Sequence, residues 1–293
     1  MRLSTFALLA FLLGCGGSAP ESSQAPQEAD ELSVFRSALT FHASFDDGFD
    51  AAYARGDRRV YSAPSYQELA QRSPGYWGED IEIAYDQGKV GNALKFNVKN
   101  TKALFYSGDQ NAAFSPESWS GTTSFWLSLD PAVDLEPGYC DPLQLTDSAY
   151  NDGAIWVDFT KDNPRSFRLG VFGEKDSWDP GGAGNGDSPK FLSRLVVVDQ
   201  PPFAAGKWTH VAIAYDGLGT PGGKATLYLD GQAQGTAEGI SDSFVWDMTQ
   251  ATIRLGINYV GLFDELAVFD RALTAEEIRK LAALEKGVAE IHP

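Results

Sequence analysis

Short apolar runs alternate with turn residues along most of this chain, and within the runs the apolar positions recur every second residue. The first run covers 41–45 and stops at Asp46-Asp47-Gly48. A turn at Gly88-Lys89-Val90-Gly91-Asn92 then feeds Ala93-Leu94-Lys95-Phe96. Further runs lie at 103–106, 123–129, 154–160, 166–172, 192–198, 208–215, 225–229, 252–257 and 262–269. Period-two segments bounded by Gly, Pro and Asp predict strands. Many such strands with little helical periodicity predict an all-β fold, two antiparallel sheets packed as a sandwich.

The alternation also assigns faces. Phe125, Leu127 and Leu129 share one side of their strand, and Ser124, Trp126 and Ser128 take the other. Ile155, Val157 and Phe159 oppose Trp156 and Asp158. Arg168 opposes Leu169 and Val171, while Val211, Ile213 and Tyr215 oppose His210. Asp230-Gly231 supplies two residues that tolerate positive φ, as a tight hairpin requires. Two helices are expected. A short one covers 65–72, and a terminal one covers 275–285 with Ile278, Leu281 and Leu284 on its buried side. Thr274 and Glu277 have capping-box spacing at the start of the second.

A length of 293 residues with 43% hydrophobic and 12% aromatic content suits one large β-domain. A formal charge of −17 disfavours nucleic acid and anionic membrane surfaces as partners. The N-terminus has its own character. Met1-Arg2 is followed by an apolar run at 6–13, too brief to span a bilayer, that ends in Leu12-Leu13-Gly14-Cys15. This string resembles a bacterial lipoprotein signal, with residues 1–14 removed and Cys15 lipidated; the competing reading is an ordinary secretory peptide. Gly16 stands where aspartate would mark inner-membrane retention, so the resemblance implies a lipid anchor at the outer membrane or cell surface. Residues 15–35, rich in Gly, Ser, Pro, Gln and Glu, read as a flexible tether. The folded domain is expected over 36–293, with insertions at 49–87 and 174–190. If Cys15 is lipidated, Cys140 has no intrachain partner and is expected as a buried or semi-buried thiol.

Six strings carry a resemblance to a known family. They are Phe45-Asp46-Asp47-Gly48, Gly88-Lys89-Val90-Gly91-Asn92-Ala93-Leu94, Ser124-Phe125-Trp126-Leu127, Gly206-Lys207-Trp208-Thr209-His210-Val211-Ala212, Leu227-Tyr228-Leu229-Asp230-Gly231, and the terminal stretch from Gly261 to Ile278. In this order they resemble a laminin-G-like jelly roll of the concanavalin A-like lectin/glucanase superfamily. The resemblance implies a jelly-roll sandwich with a short C-terminal helix. It fixes no reaction, because lectins, hydrolases and adhesion modules share the fold.

Sugar recognition needs an aromatic ring against the C–H face of a pyranose and polar groups for its hydroxyls, in a mostly apolar pocket. Trp126, Trp156, Asp158, Arg168 and His210 are the candidates, with Trp178 on a Gly/Asp-rich loop as another. The competing reading packs the indoles beneath a covering segment, with 49–87 as that cover, Asp158 and Arg168 as a salt bridge, and Trp178 as a plug. Relatives of this sandwich hold a structural Ca²⁺ between first and last strands. The matching positions are Asp46 or Asp47 and Asp264. Catalysis has weaker support. The E-x-D-x-E strand of retaining glucanases is absent, and Glu79-Asp80-Ile81-Glu82 has the wrong order. His42, His210 and His292 lack metal spacing. The expected role is therefore non-catalytic binding of a carbohydrate or surface glycoconjugate at the cell envelope. The alternatives are an adhesive protein-binding module or a polysaccharide-degrading enzyme.

Overall fold

The computed structural model describes residues 1, 25–100, 102–184, 186 and 188–292. Cys15 and the segment expected as a signal peptide lie outside that range, apart from Met1. Two antiparallel sheets form the body. The first runs β15 (Gln232–Glu238), β14 (Lys224–Leu229), β13 (Thr209–Leu218), β8 (Trp119–Ser128), β17 (Gly261–Phe269), β1 (Leu39–Ala43), β2 (Tyr53–Ala54). Beyond this path, β6 (Ala93–Phe96) pairs with β17 and β5 (Ile81–Ala84) with β6. The second runs β12 (Leu195–Val198), β11 (Phe167–Phe172), β10 (Ala154–Phe159), β9 (Cys140–Thr146), β16 (Thr252–Ile257), β7 (Ala103–Ser107), β3 (Val60–Ala63), β4 (Ser73–Pro74).

The inner faces of the two sheets meet in one apolar core. Phe41, Phe125, Leu127, Val211, Ile213 and Phe263 enter it from the first sheet, and Leu143, Ile155, Val157, Phe159, Leu169 and Ile253 from the second. Burial on this scale, at about 25 cal/mol per Å² of apolar surface, is the main force holding the sheets together. Phe125 and Phe263 stack inside it with centroids 5.0 Å apart. The Asp230-Gly231 hairpin takes φ values of 47° and 74°, the positive pair that a two-residue turn between twisted strands requires.

The outer faces differ. Helix α1 (Ala25–Ala38), a terminal helix (Ala275–Ala282) and a 3-10 turn (Gly287–Ile291) cover the outer side of the first sheet, where Phe35, Phe269, Ile278, Leu281 and Ile291 form a second cluster. The capping box forms: Thr274 Oγ accepts from the Glu277 amide and Glu277 returns a carboxylate oxygen to the Thr274 amide. The tether expected over 15–35 overlaps α1. Leu32 and Phe35, one turn apart, dock on this cluster, and that burial holds the end of the helix against the sheet. The helix expected at 65–72 is reduced to a 3-10 turn at Leu69–Gln71. The 49–87 insertion contributes β2 to β5, so it extends both sheets instead of lying over one.

Candidate functional site

Among the described residues, no long helix lies on the outer side of the second sheet, and a groove of about 880 Å³ opens there. Register builds its floor. Arg254 on β16 pairs with Gln144 on β9, Gln144 with Trp156 on β10, and Trp156 with Gly170 on β11. A second row lies beside the first. Asp158 pairs with Arg168, and a bulge between Val157 and Phe159 sets Asp158 beside Asp141. Tyr66 and Gln67, from the 49–87 insertion, form part of the wall, and Tyr139, Tyr150 and Phe191 complete the aromatic lining.

Hydrogen bonds fix these side chains. Arg168 Nε donates to Asp158 Oδ1 at 2.8 Å and its Nη2 to Asp158 Oδ2. The guanidinium lies 5.6 Å from the Trp156 ring and 5.0 Å from the Tyr139 ring. Burial pushes the Asp158 carboxyl up while the Arg168 fork pulls it down. Asp141 has no such fork; burial and its neighbour Asp158 push it well above the usual carboxylate range. Gln144 Nε2 donates to Asp141 Oδ2 at 3.3 Å, and Gln144 Oε1 accepts from Arg254 Nη1 at 3.0 Å.

The expected sugar platform at Trp156 is not available for stacking. The indole is 2% exposed, donates through Nε1 to the Tyr150 carbonyl at 2.6 Å, and lies flat on Phe172 with centroids 5.9 Å apart. Gly170 lets the ring lie there, because a Cβ at that position would run into the indole. Trp178 is also 2% exposed and acts as a plug: its Nε1 donates to the Asn151 carbonyl at 2.9 Å, and Phe172 and Phe191 pack on its ring. The chain covers these indoles with 150–151, 178 and 191, and the 49–87 insertion is not the cover.

Trp126 and His210 sit elsewhere. They are cross-strand partners on β8 and β13, on the outer side of the first sheet, with the whole core between them and Asp158. Alternation places both sets outward, but outward from different sheets. Lys89 Nζ lies 4.7 Å from the Trp126 ring, which tilts against His210 at 4.9 Å. His210 is 1% exposed and shares a 2.8 Å hydrogen bond with Ser124 Oγ through Nε2. Burial lowers its pKa to about 4.

The residues expected around Ca²⁺ hold a turn instead. Asp264 Oδ2 accepts from the Lys89 and Val90 amides at 2.7 and 3.2 Å, and Oδ1 from the Glu265 amide at 2.8 Å. Asp46 Oδ1 accepts from the Asn92 amide at 2.8 Å, and Asp47 is exposed. N–H donors presented to both oxygens of Asp264 place positive dipoles where a cation would have to sit. These residues therefore fit a two-point staple on the 88–92 turn and do not fit a calcium site. Burial, then Glu265, pushes Asp264 up to about 8 against those donors. Cys140 is a free, buried thiol, and burial raises its pKa to about 11.

Tyr139, Tyr150, Asp141, Gln144 and Arg254 were not singled out by sequence reasoning. Arg254 carried a usable signal, a charge at the centre of the apolar run Thr252-Ile253-Arg254-Leu255. Asp141 and Gln144 did not, because Pro142 obscures the period of β9.

Comparison with known proteins agrees with the architecture. Residues 143–279 match a laminin-G family model, described as the concanavalin A-like lectin/glucanases superfamily. No curated protein sequence matches the chain. Among solved structures, it is similar to domain 4 of AbnA, a GH43 extracellular arabinanase from Geobacillus stearothermophilus, in complex with arabinotriose. That likeness has a TM-score of 0.52 and 20% identity, over 84% of this chain and 98% of that one. It is also similar to the binding domain of botulinum neurotoxin DC in complex with SialylT, at TM-score 0.54 and 10% identity over 84% of this chain. The binding domain of botulinum neurotoxin serotype C1 gives 0.53 and 11% over the same share. The match spans 51% and 52% of those two neurotoxin domains. At these identities the likeness is one of fold.

Proposed function

We propose that this chain is a non-catalytic carbohydrate-binding domain that takes an oligosaccharide or glycoconjugate into the groove of the second sheet. The observation that carries the reading is the lining of that groove. Tyr139 and Tyr150 are 48% and 50% exposed at its rim, while Gln144, Asp158, Arg168 and Arg254 converge on its floor. Half-exposed rings over a fixed polar floor suit a sugar, which offers a C–H face and a ring of hydroxyls. A volume of about 880 Å³ falls in the range of small-molecule sites. The arabinanase domain solved with arabinotriose supports the reading at the level of fold. We further propose that the domain acts at the bacterial cell envelope, held to the membrane only by a lipid on Cys15.

Titration with a panel of oligosaccharides, followed by NMR or calorimetry, tests the site. Tyr139→Ala and Tyr150→Ala are expected to weaken binding about tenfold each with little change in melting temperature. Unchanged affinity in both variants would remove the groove from consideration.

One observation favours a second reading. Asp141 and Asp158 adjoin in a groove, and the raised pKa of Asp141 suits a general acid. The Arg168 fork on Asp158 weighs toward binding, because a nucleophile must be free to approach the sugar. Reducing-end release from a polysaccharide panel, abolished by Asp141→Asn, would establish the enzyme.

A further inference from the structure

Arg254 differs from the other buried and half-buried arginines compared with it, Arg165, Arg168 and Arg194. It is 4% exposed, yet among the described residues no carboxylate pairs with it. Arg168 has Asp158, and Arg194 has Asp242. Arg165 is 7% exposed and unpaired too, but its fork is filled by the carbonyls of Gly138, Thr160, Leu135 and Glu136. Arg254 meets only neutral groups: Thr252 Oγ1 at 3.0 Å, Gln144 Oε1 at 3.0 Å and the Ser148 carbonyl at 3.0 Å. A guanidinium has five N–H donors. One donor on each terminal nitrogen is therefore left without an acceptor among the described residues, and the side chain lines the groove.

The neighbouring charges do not neutralise it. Asp158 is already paired with Arg168. Asp141 reaches the Arg254 fork only through Gln144, and its carboxyl is pushed toward the neutral form. Asp147 acts on Arg254 at longer range. Lys161, also on the groove lining, has its own counter-charge in Asp162 at 3.9 Å. The Arg254 fork is thus left without a carboxylate in direct contact among the described residues, in a chain of net charge −17. A buried, uncompensated charge is costly, and an anion that completes its coordination removes the cost. Two parallel N–H donors on a planar fork match a carboxylate.

We propose that the groove selects glycans bearing a carboxylate, a uronic or sialic acid residue, whose acid group docks on the free edge of Arg254. This rests on the groove being a sugar site. The neutral remainder of the sugar would lie toward Tyr150 and Tyr139.

The test uses the chain with unmodified side chains. Trigalacturonate and sialyllactose are titrated beside their methyl esters and beside neutral galacto- and arabino-oligosaccharides. At least one acid is expected to bind about tenfold or more tighter than its own ester, equivalent to about 1.4 kcal/mol. Which acid shows the gap identifies the source of the carboxylate. Arg254→Gln is expected to close the gap, and the ester comparison keeps the proposal testable if that variant fails to fold. Equal binding of acid and ester overturns the proposal and leaves the sugar site standing. Preference for a sulfated glycan over both acids also overturns it. Binding of none of the sugars overturns the sugar site together with this proposal.

Discussion

Replacing Arg168 by methionine tests how the groove floor is held. The fork now gives Asp158 two charge-assisted hydrogen bonds, one of 2.8 Å at Nε and one at Nη2. Asp158 is 4% exposed, so removing the fork leaves its carboxylate largely desolvated. Removing one partner of a buried pair costs about 3–5 kcal/mol, since the other charge is left desolvated. For a domain of this size about 2–4 °C of melting temperature accompanies each kcal/mol, so a fall of roughly 6–20 °C is expected. Asp158→Leu combined with Arg168→Met should cost far less than the sum of the single changes, because no charge remains buried. The pH dependence has a definite sign. Without the arginine, the folded-state pKa of Asp158 rises further above its unfolded value. The Arg168→Met protein should then lose stability as pH rises through that window and regain it on acidification. Urea denaturation of the single and double variants at several pH values measures all of this. A loss below about 1 kcal/mol for Arg168→Met, or strict additivity in the double variant, would refute the argument.

Other expectations follow from single contacts. Gly170→Ala should destabilise by about 1–3 kcal/mol, because the new methyl displaces the Trp156 indole; near-UV circular dichroism and melting report it, and an unchanged melt would contradict the packing. His210 is held neutral in the fold, so stability should fall as pH drops from about 6.5 toward about 4, by up to about 3 kcal/mol. That slope should be absent in His210→Gln. Asp264→Asn would set an amide N–H against at least one backbone donor and cost about 1–3 kcal/mol, while EDTA leaves the melting temperature of the parent unchanged. A clear drop on chelation would restore calcium to this site. Thr274→Ala removes the N-cap and should cost about 1 kcal/mol in thermal denaturation.

By itself the sequence determined what local periodicity can determine. It set which side chains leave each strand inward, as Phe125 and Leu127 or Ile155 and Val157 do. It placed the Asp230-Gly231 turn, the capping box at Thr274 and the buried stripe of the terminal helix. These depend on bonds and contacts within a few residues, so their signals lie close together in the chain. Only the tertiary structure decided which sheet each strand joined. That choice separated Trp126 and His210 from Asp158 and Arg168, although alternation makes all four point outward. Only packing buried Trp156 under Tyr150, Trp178 and Phe191, and only register brought Arg254, Gln144 and Asp141 into one chain of contacts. Alternation specifies the direction of a side chain relative to its own strand. The surface that side chain shares is set by long-range pairing, as between Arg254 and Gln144, 110 residues apart.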